Sequence, residues 1–326
     1  MPLRWAMERP PGSGDGALGG GQPENGSGGG NTPAFTPETP RRALADLIVP
    51  DVVRERVLSV LSLIENHETL FVTWNLAKID PYRRGVAINL YGPSGTGKSL
   101  CAEAIAHQTG RPFINVNYAQ IESRYVGQTP KNIEAAFDAA RDARAVVIFD
   151  EADALLGSRL SNVTQSADHA VNMSRTTMLR QLDLFDGVVV FTTNYPKNYD
   201  AAFVRRILAH VRFELPDLET RLRLWRHMLP DELPCADDVD SEILARESDG
   251  LAGGDLVNVV VAAATIAVNR PAQRRVRLAD LTAEIAAVRR ARAEVGKSPP
   301  DARVVSWEPA PAGIAPDEAG TAGGVS

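Results

Sequence analysis

Cysteine is scarce in this chain, which contains only Cys101 and Cys235 among its 326 residues. Two cysteines so far apart exclude a disulfide-rich scaffold and fit a reducing compartment. Long apolar runs are missing as well. The longest, 256–268, is interrupted by Asn258 and Thr265 and is too short to span a bilayer. We therefore expect a soluble, cytoplasmic protein with no membrane span.

A strong charge excess is also absent, since 35 basic residues meet 41 acidic ones for a formal net charge of −6. This mildly acidic balance argues against nucleic acid as the main partner. The first residues, MPLRWAMERPPG, contain no apolar targeting segment. Apolar residues, by contrast, make up 44% of the chain, which is enough for a normal buried core.

Two segments have compositions that do not favour folding. Residues 1–43 are rich in Gly, Pro, Ser and Asn, and residues 297–326 are rich in Pro, Ala and Gly. Such segments bury too little apolar surface to offset the entropy of ordering, so we expect both to be disordered tails. The predicted folded part is 44–296.

Within 44–216, five short apolar runs alternate with helical patterns, as in a parallel sheet whose strands are buried on both faces. The runs are GVAINLY (85–91), PFINVN (112–117), AVVIF (145–149), GVVVFTT (187–193) and VRFEL (211–215). This alternation predicts a three-layer α/β domain. Only helical patterns occur in 217–296, which predicts a small all-helical second domain.

The segment GPSGTGKS, 92–99, follows the first apolar run and matches the phosphate-binding pattern G-x-x-x-x-G-K-[ST]. Glycines let backbone N–H groups surround phosphate oxygens, and the start of the next helix adds partial positive charge. Lys98 is then expected to reach the β- and γ-phosphates of ATP, and Ser99 to ligate Mg²⁺. A chance glycine-rich turn is the alternative. The predicted nucleotide-binding residues in this segment are Gly92, Pro93, Ser94, Gly95, Thr96, Gly97, Lys98, Ser99 and Leu100.

Two adjacent carboxylates, Asp150 and Glu151, follow the apolar run AVVIF. Ligands of open α/β folds bind at the carboxyl ends of strands, where these side chains are expected to lie. Asp150 is suited to holding Mg²⁺, and Glu151 to polarising an attacking water. The alternative is a surface acidic turn that caps the next helix.

Together with three further segments, these Walker A and Walker B motifs resemble the AAA family of ATPases over nearly all of 44–296. The segments are VVVFTTN (188–194), DAAFVRRI (200–207) and SDGLAGGDL (248–256). The resemblance implies a P-loop α/β domain with a helical lid, hydrolysis of ATP with Mg²⁺, and a hexameric ring. Each of the three segments also has an alternative without a role in ATP hydrolysis. In the same order, these alternatives are a simple turn, a solvent-exposed basic turn and a capped helix start.

The resemblance also implies roles for single residues in these segments. Asn194 helps to place the lytic water. Arg205 and Arg206 are candidate arginine fingers that reach the γ-phosphate of a neighbouring subunit. Gly254 lets the lid approach the nucleotide closely.

A loop after the second strand, ESRYVGQTP (122–130), contains Arg124, Tyr125, Val126 and Gly127. This order is similar to the family's pore-loop signature, in which a basic residue precedes an aromatic residue, an apolar residue and glycine. An aromatic ring can contact an extended polypeptide through apolar area, without sequence-specific bonds. The resemblance implies substrate contact in a central pore. Tyr125 could instead pack against its own domain.

These features support one leading hypothesis and two alternatives. The first is a hexameric AAA ATPase that remodels or unfolds proteins by pulling polypeptide with its pore loops, with adaptors recruited by the N-terminal tail. The second is a nucleotide-switched assembly factor or scaffold that positions a partner complex without threading. A nucleic-acid motor is the third, against which the acidic balance counts. The pattern H-E-x-x-H is absent, which excludes the metalloprotease branch of the family.

Overall fold

The structure of this protein is a computed structural model that describes residues 34–81, 84–122, 128–157, 166–194, 199–271 and 273–294. Contacts between these residues divide the chain into two compact units. The first unit contains the described residues of 1–47, 56–92 and 98–212, and the second contains those of 48–55, 93–97 and 213–326. The domain boundaries expected from the sequence, after residues 43, 216 and 296, stay predictions.

A parallel five-stranded sheet organises the first unit. Its strands are β1 (Val86–Tyr91), β2 (Phe113–Asn117), β3 (Val146–Asp150), β4 (Val188–Thr193) and β5 (Ala209–Arg212). They lie in the order β2-β3-β4-β1-β5, and each strand pairs with its neighbours in parallel. Nearly all residues of β1, β3 and β4 are buried, which explains why these strands are continuous apolar runs in the sequence.

Helices precede the sheet and connect its strands. They are α1 (Asp51–Glu65), α2 (Lys98–Gln108), α3 (Tyr118–Ile121), α4 (Gln128–Ala143), α5 (Asp153–Leu156), α6 (Ser166–Leu184) and α7 (Ala201–Arg206). Short 3₁₀ turns lie at Leu44–Asp46 and Leu76–Lys78, and a π-helical turn lies at Thr69–Thr73.

The helices cover both faces of the sheet. On one face, Phe137 of α4 and Met178 of α6 pack in the same cluster as Val147 and Phe149 of β3. Side chains alternate between the faces along a strand, so the buried Ile148 points to the other face. The sheet is in contact with α2 as well, and the buried residues of α2 lie outside that cluster. The predicted three-layer α/β class is confirmed.

The described elements of the second unit are helical, as predicted. After Pro216 they are α8 (Leu218–Met228), α9 (Ser241–Glu247), α10 (Gly253–Val268) and α11 (Leu278–Glu294). Their core surrounds Trp225, which is fully buried and whose indole Nε1 donates to Ser248 Oγ at 2.9 Å. Every helix among the described residues of the chain is too short or too polar to cross a membrane.

The last strand is displaced from its predicted position. The sequence predicts a strand over 211–215, whereas β5 covers Ala209–Arg212. It pairs with β1 alone, from Ile88 opposite Ala209 to Tyr91 opposite Arg212. Because β1 ends at Tyr91, the residues beyond Arg212 have no strand with which to pair.

The aromatic core under the sheet generates the first prediction. The ring of Phe137 is fully buried, 5.6 Å from that of Phe149 and 5.2 Å from that of Phe185. We expect Phe137→Ala to lower the free energy of unfolding by about 3–5 kcal/mol, because it leaves a cavity between helix and sheet. Urea unfolding followed by circular dichroism measures this change. Lys131→Ala, at an exposed position of the same helix, is the matched control, and equal midpoints for the two variants contradict the prediction.

Candidate nucleotide-binding site

The predicted phosphate-binding loop connects β1 to α2. Strand β1 ends at Tyr91, and α2 begins at Lys98. Between them, Gly92, Gly95 and Gly97 have φ angles of 142°, 76° and 101°. Residues with a Cβ rarely adopt these angles, so the three glycines of the motif are needed for the backbone path itself.

Lys98 is held at the start of α2. Its side chain is almost completely buried, and its Nζ donates to the backbone carbonyl of Gly92 at 2.9 Å. Burial lowers the pKa of this amine, while the negative charges of Asp150 and Asp153 act in the opposite direction. The amine is therefore held next to the carbonyl of Gly92, at the start of the segment where the sequence predicts phosphate.

Ser99 and Asp150 form the candidate Mg²⁺ site. Ser99 Oγ donates to the Asp150 carboxylate, with 3.1 Å to Oδ1 and 3.3 Å to Oδ2. Mg²⁺ prefers such oxygen ligands, and in nucleotide sites it is usually held by one or two protein groups together with phosphate. The donor set fits this ion. Within the described part of the chain, no cluster of three or more His, Cys, Asp or Glu side chains is placed to hold a metal.

Glu151 lies in a strained turn directly after β3. Its φ angle is +54°, in the left-handed region that non-glycine residues seldom adopt. Its backbone N–H donates to Thr192 Oγ1 at 3.2 Å, and the same hydroxyl donates to Asp150 Oδ1. The side chain of Glu151 is exposed. The turn thus presents a carboxylate to solvent at the carboxyl edge of the sheet.

Asn194 comes directly after β4, which neighbours β3 in the sheet. Its backbone N–H donates to Asp153 Oδ2 at 3.3 Å. The carboxyl ends of parallel strands share one edge, so Asn194 lies at the same edge as Asp150 and Glu151. In the first unit, the fold thus brings the predicted lysine, serine, carboxylates and asparagine to one place.

A polar cluster that the sequence analysis missed lies inside the same edge. Asn89 is fully buried in β1, and its Nδ2 lies 3.3 Å from Tyr199 Oη and 3.4 Å from His210 Nδ1. Tyr199 Oη is also hydrogen-bonded to the Thr193 hydroxyl. Burial raises the pKa of Tyr199 and lowers that of His210, so both are neutral at pH 7. The sequence did contain an indication of this cluster, since Asn89 and Thr193 are polar residues within otherwise apolar strands.

The second unit contains residues 93–97 together with the predicted lid segment. The backbone N–H of Gly254, at the start of α10, donates to the Gly95 carbonyl at 3.0 Å. A Cβ added to Gly254 would lie 3.3 Å from Gly95 Cα, closer than an ordinary contact. The absence of a side chain at Gly254 therefore permits contact with the phosphate-binding loop itself.

Arg205 and Arg206 lie at the end of α7, away from the Lys98 site of their own chain. Arg206 forms a bidentate pair with Asp183 of α6, with Nε 2.7 Å from Oδ1 and Nη2 2.9 Å from Oδ2. Both arginines line a cavity of about 420 Å³ with Gly85 and Gly187, which directly precede β1 and β4. They are thus on the amino-terminal side of the sheet, whereas Lys98 is on the carboxyl side.

The predicted pore-loop residues Arg124, Tyr125, Val126 and Gly127 lie outside the described residues, between α3 and α4. The segments that flank them are joined by the buried Asn132 of α4, whose Nδ2 donates to the carbonyl at the end of α3 at 3.1 Å.

Comparison with known proteins agrees with this geometry. Residues 88–215 match the family model described as AAA, ATPase family associated with various cellular activities. The 26S proteasome regulatory subunit 7 of Dictyostelium discoideum is 34% identical over 229 residues, which are 68% of this chain and 51% of that protein. Its homolog from Schizosaccharomyces pombe is 37% identical over 205 residues, which are 61% of this chain and 45% of that protein.

A second kind of relative is the katanin p60 ATPase-containing subunit A1 of Strongylocentrotus purpuratus. It is 32% identical over 196 residues, which are 56% of this chain and 37% of that protein. The chain spans about half or less of the length of these curated relatives. The family match, however, begins within β1, extends beyond β5 and includes the loop, the carboxylates and Asn194. Residues 88–215 of this chain therefore match the AAA ATPase family.

Proposed function

We propose that this chain hydrolyses ATP as one subunit of a hexameric ring and uses the energy to remodel protein substrates. The observation that carries the ATPase part is the meeting of Lys98, Ser99, Asp150 and Glu151 at one sheet edge. The two kinds of relative are named as subunits, of the 26S proteasome and of katanin, which supports action within an assembly. The expected cytoplasmic location and the absence of a nucleic-acid partner stay predictions.

Each residue of the site has a different role in the proposed hydrolysis of ATP. Lys98 is a fixed cation for the β- and γ-phosphates, and the N–H groups of the glycine-rich loop surround the same oxygens. Ser99 and Asp150 would hold Mg²⁺, which offsets the negative charge of the phosphates when it is bound. Glu151 accepts a proton from the attacking water, and Asn194 orients that water at the same edge. The remaining nucleotide contacts come from Gly92 to Leu100 and Gly254.

The positions of Arg205 and Arg206 support assembly of several subunits. Because they lie on the side of the sheet away from their own Lys98, we assign them to a nucleotide held by a neighbouring subunit. A guanidinium supplied in trans stabilises the charge of the transition state. Both arginines are candidates for the finger, and Arg206 also joins the end of α7 to α6 through its ion pair with Asp183.

Substrate contact is assigned to the loop between α3 and α4, with Arg124, Tyr125, Val126 and Gly127. In sequence it comes after α3, and it is the segment that resembles a loop that contacts substrate polypeptide. The N-terminal segment 1–43 is assigned to recruiting an adaptor. A nucleotide-switched scaffold that positions a partner without threading is the second candidate, and the substitution of Tyr125 described below separates the two.

The role of Glu151 leads to the next prediction. We expect Glu151→Gln to slow hydrolysis about 10²–10⁴-fold, because the amide cannot accept the proton of the water. ATP affinity should persist, since the change leaves Lys98 and the loop intact. Phosphate release and titration calorimetry measure the two quantities. Lys98→Ala is the contrasting variant and should weaken ATP binding itself. Wild-type hydrolysis by Glu151→Gln contradicts the proposed mechanism.

Ring assembly can be tested with mixed subunits. We expect Arg205→Ala to slow hydrolysis about 10³–10⁵-fold if the guanidinium acts in trans. Mixing inactive Arg205→Ala subunits with inactive Lys98→Ala subunits should restore activity, because each supplies what its neighbour lacks. Arg180→Ala, at an exposed position of α6, is the control and should be fully active. A mixture that stays inactive, or Glu151→Gln that does not sediment as a hexamer with ATP, contradicts the trans arrangement.

Threading depends on Tyr125 in this proposal. We expect Tyr125→Ala to abolish ATP-driven unfolding of a tagged fluorescent protein while ATP hydrolysis persists. The aromatic side chain is proposed to provide the apolar contact with the substrate polypeptide, and alanine lacks it. Trp74→Ala, which removes an exposed aromatic ring elsewhere in the first unit, is the control. Unchanged remodelling by Tyr125→Ala favours the scaffold instead.

A further inference from the structure

Thr192 is a polar residue in the most buried strand of the sheet. All six residues of β4 are buried, and Thr192 is only 2% exposed. In the register of β3 and β4, Phe149 lies opposite Phe191, so Asp150 and Thr192 are the next pair along. A buried hydroxyl needs partners, because its removal from water is otherwise unfavourable. Its partners identify what the residue does.

Three consecutive residues, the last of β3 and the two that follow it, are bonded to this one threonine. Its Oγ1 donates to Asp150 Oδ1 and accepts from the Glu151 backbone N–H at 3.2 Å. Its backbone carbonyl accepts from the N–H of Ala152 at 2.9 Å. A hydroxyl has one proton and two lone pairs, so it can serve Asp150 and Glu151 at the same time. No aliphatic side chain can replace either bond.

The Glu151 turn needs such support. With φ at +54°, Glu151 has a conformation that persists only where the surroundings hold it. Its side chain is exposed, so its direction follows from the backbone turn. The hydrogen bond from Glu151 N–H to Thr192 Oγ1 fixes this peptide to the neighbouring strand.

Asp150 is also oriented from two sides. Ser99 Oγ of α2 and Thr192 Oγ1 of β4 both donate to its carboxylate. Ser99 is itself a proposed Mg²⁺ ligand, whereas Thr192 has no position in the phosphate-binding loop. Thr192 is thus the partner that orients the carboxylate from the sheet, as residues behind a metal ligand commonly do.

We propose that Thr192 is a positioning residue for ATP hydrolysis, whose hydroxyl aims Asp150 at the metal and Glu151 at the attacking water. The inference rests on the roles proposed above for Asp150 and Glu151. Thr192 itself touches neither nucleotide nor water in this role. A plain alternative is that threonine stands in β4 because its branched side chain favours a strand and its hydroxyl is merely satisfied there.

Two substitutions separate these roles. Thr192→Val keeps the shape and strand preference but loses both side-chain hydrogen bonds, and Thr192→Ser keeps the hydroxyl but loses the methyl group. We expect Thr192→Val to lower kcat about 10–100-fold, with little change in KM for ATP. It should also raise the Mg²⁺ concentration needed for half-maximal binding of a fluorescent ATP analogue. Thr192→Ser should restore both values toward those of the wild type.

The neighbouring threonine supplies the matched control. Thr193 is 1% exposed, and its hydroxyl is bonded to Asn89 and Tyr199, away from Asp150 and Glu151. Thr193→Val removes an equally buried hydroxyl, so it measures the loss of stability alone. Thermal unfolding of all variants without nucleotide is recorded beside kcat. If Thr192→Val does not fold, Thr192→Ala and Thr192→Ser are compared in its place.

The outcomes distinguish the inference from the function on which it rests. Normal kcat and Mg²⁺ dependence in Thr192→Val, beside an inactive Glu151→Gln, overturn the positioning role and leave the ATPase mechanism intact. Equal losses in Thr192→Val and Thr193→Val that follow thermal stability, without rescue by serine, also overturn it. An active Glu151→Gln instead contradicts the mechanism itself. Loss of kcat with rescue by Thr192→Ser supports the proposal.

Discussion

The parallel pairing of β3 with β4 is the interaction on which the site of the first unit depends. It places Asp150 beside Thr192 and brings Asn194 to the same edge. Both strands are buried on two faces, so the sheet cannot shift its register without moving apolar side chains out of the core. The packing of β3 and β4 therefore determines the positions of the carboxylates.

Polar residues within these strands connect the core to the site. Thr192 bonds to the turn after β3, while Thr193, on the other face of β4, joins Asn89 and Tyr199. Buried hydroxyl and amide groups are stable only when they are hydrogen-bonded, and such networks restrict the protein to one arrangement. The hydrogen bond from Thr192 thus orients Asp150 at the edge of the sheet, where several groups must be held in fixed positions.

Much of this organisation could be predicted from the sequence. Continuous apolar runs predicted the five strands, because a strand buried on both faces needs apolar residues throughout. The loop from Gly92 to Ser99 was recognisable because its glycines serve backbone angles that other residues avoid. The bounds of helix α6, by contrast, were not predicted, since polar residues are frequent among its apolar ones. The end of β5 was misplaced, because it depends on where β1 ends and not on its own residues.

The sequence by itself determined the fold class, the phosphate-binding loop and the acidic pair at the end of β3, because these follow from local patterns of residue type and spacing. Only the tertiary structure decided which groups meet: that Thr192 bonds to Asp150 and Glu151, that Gly254 contacts Gly95, and that Arg206 pairs with Asp183. These partners lie between 23 and 159 residues apart in the chain. A local sequence pattern cannot predict contacts between residues so far apart in the chain, since these contacts depend on the order of strands in the sheet and on the packing of helices.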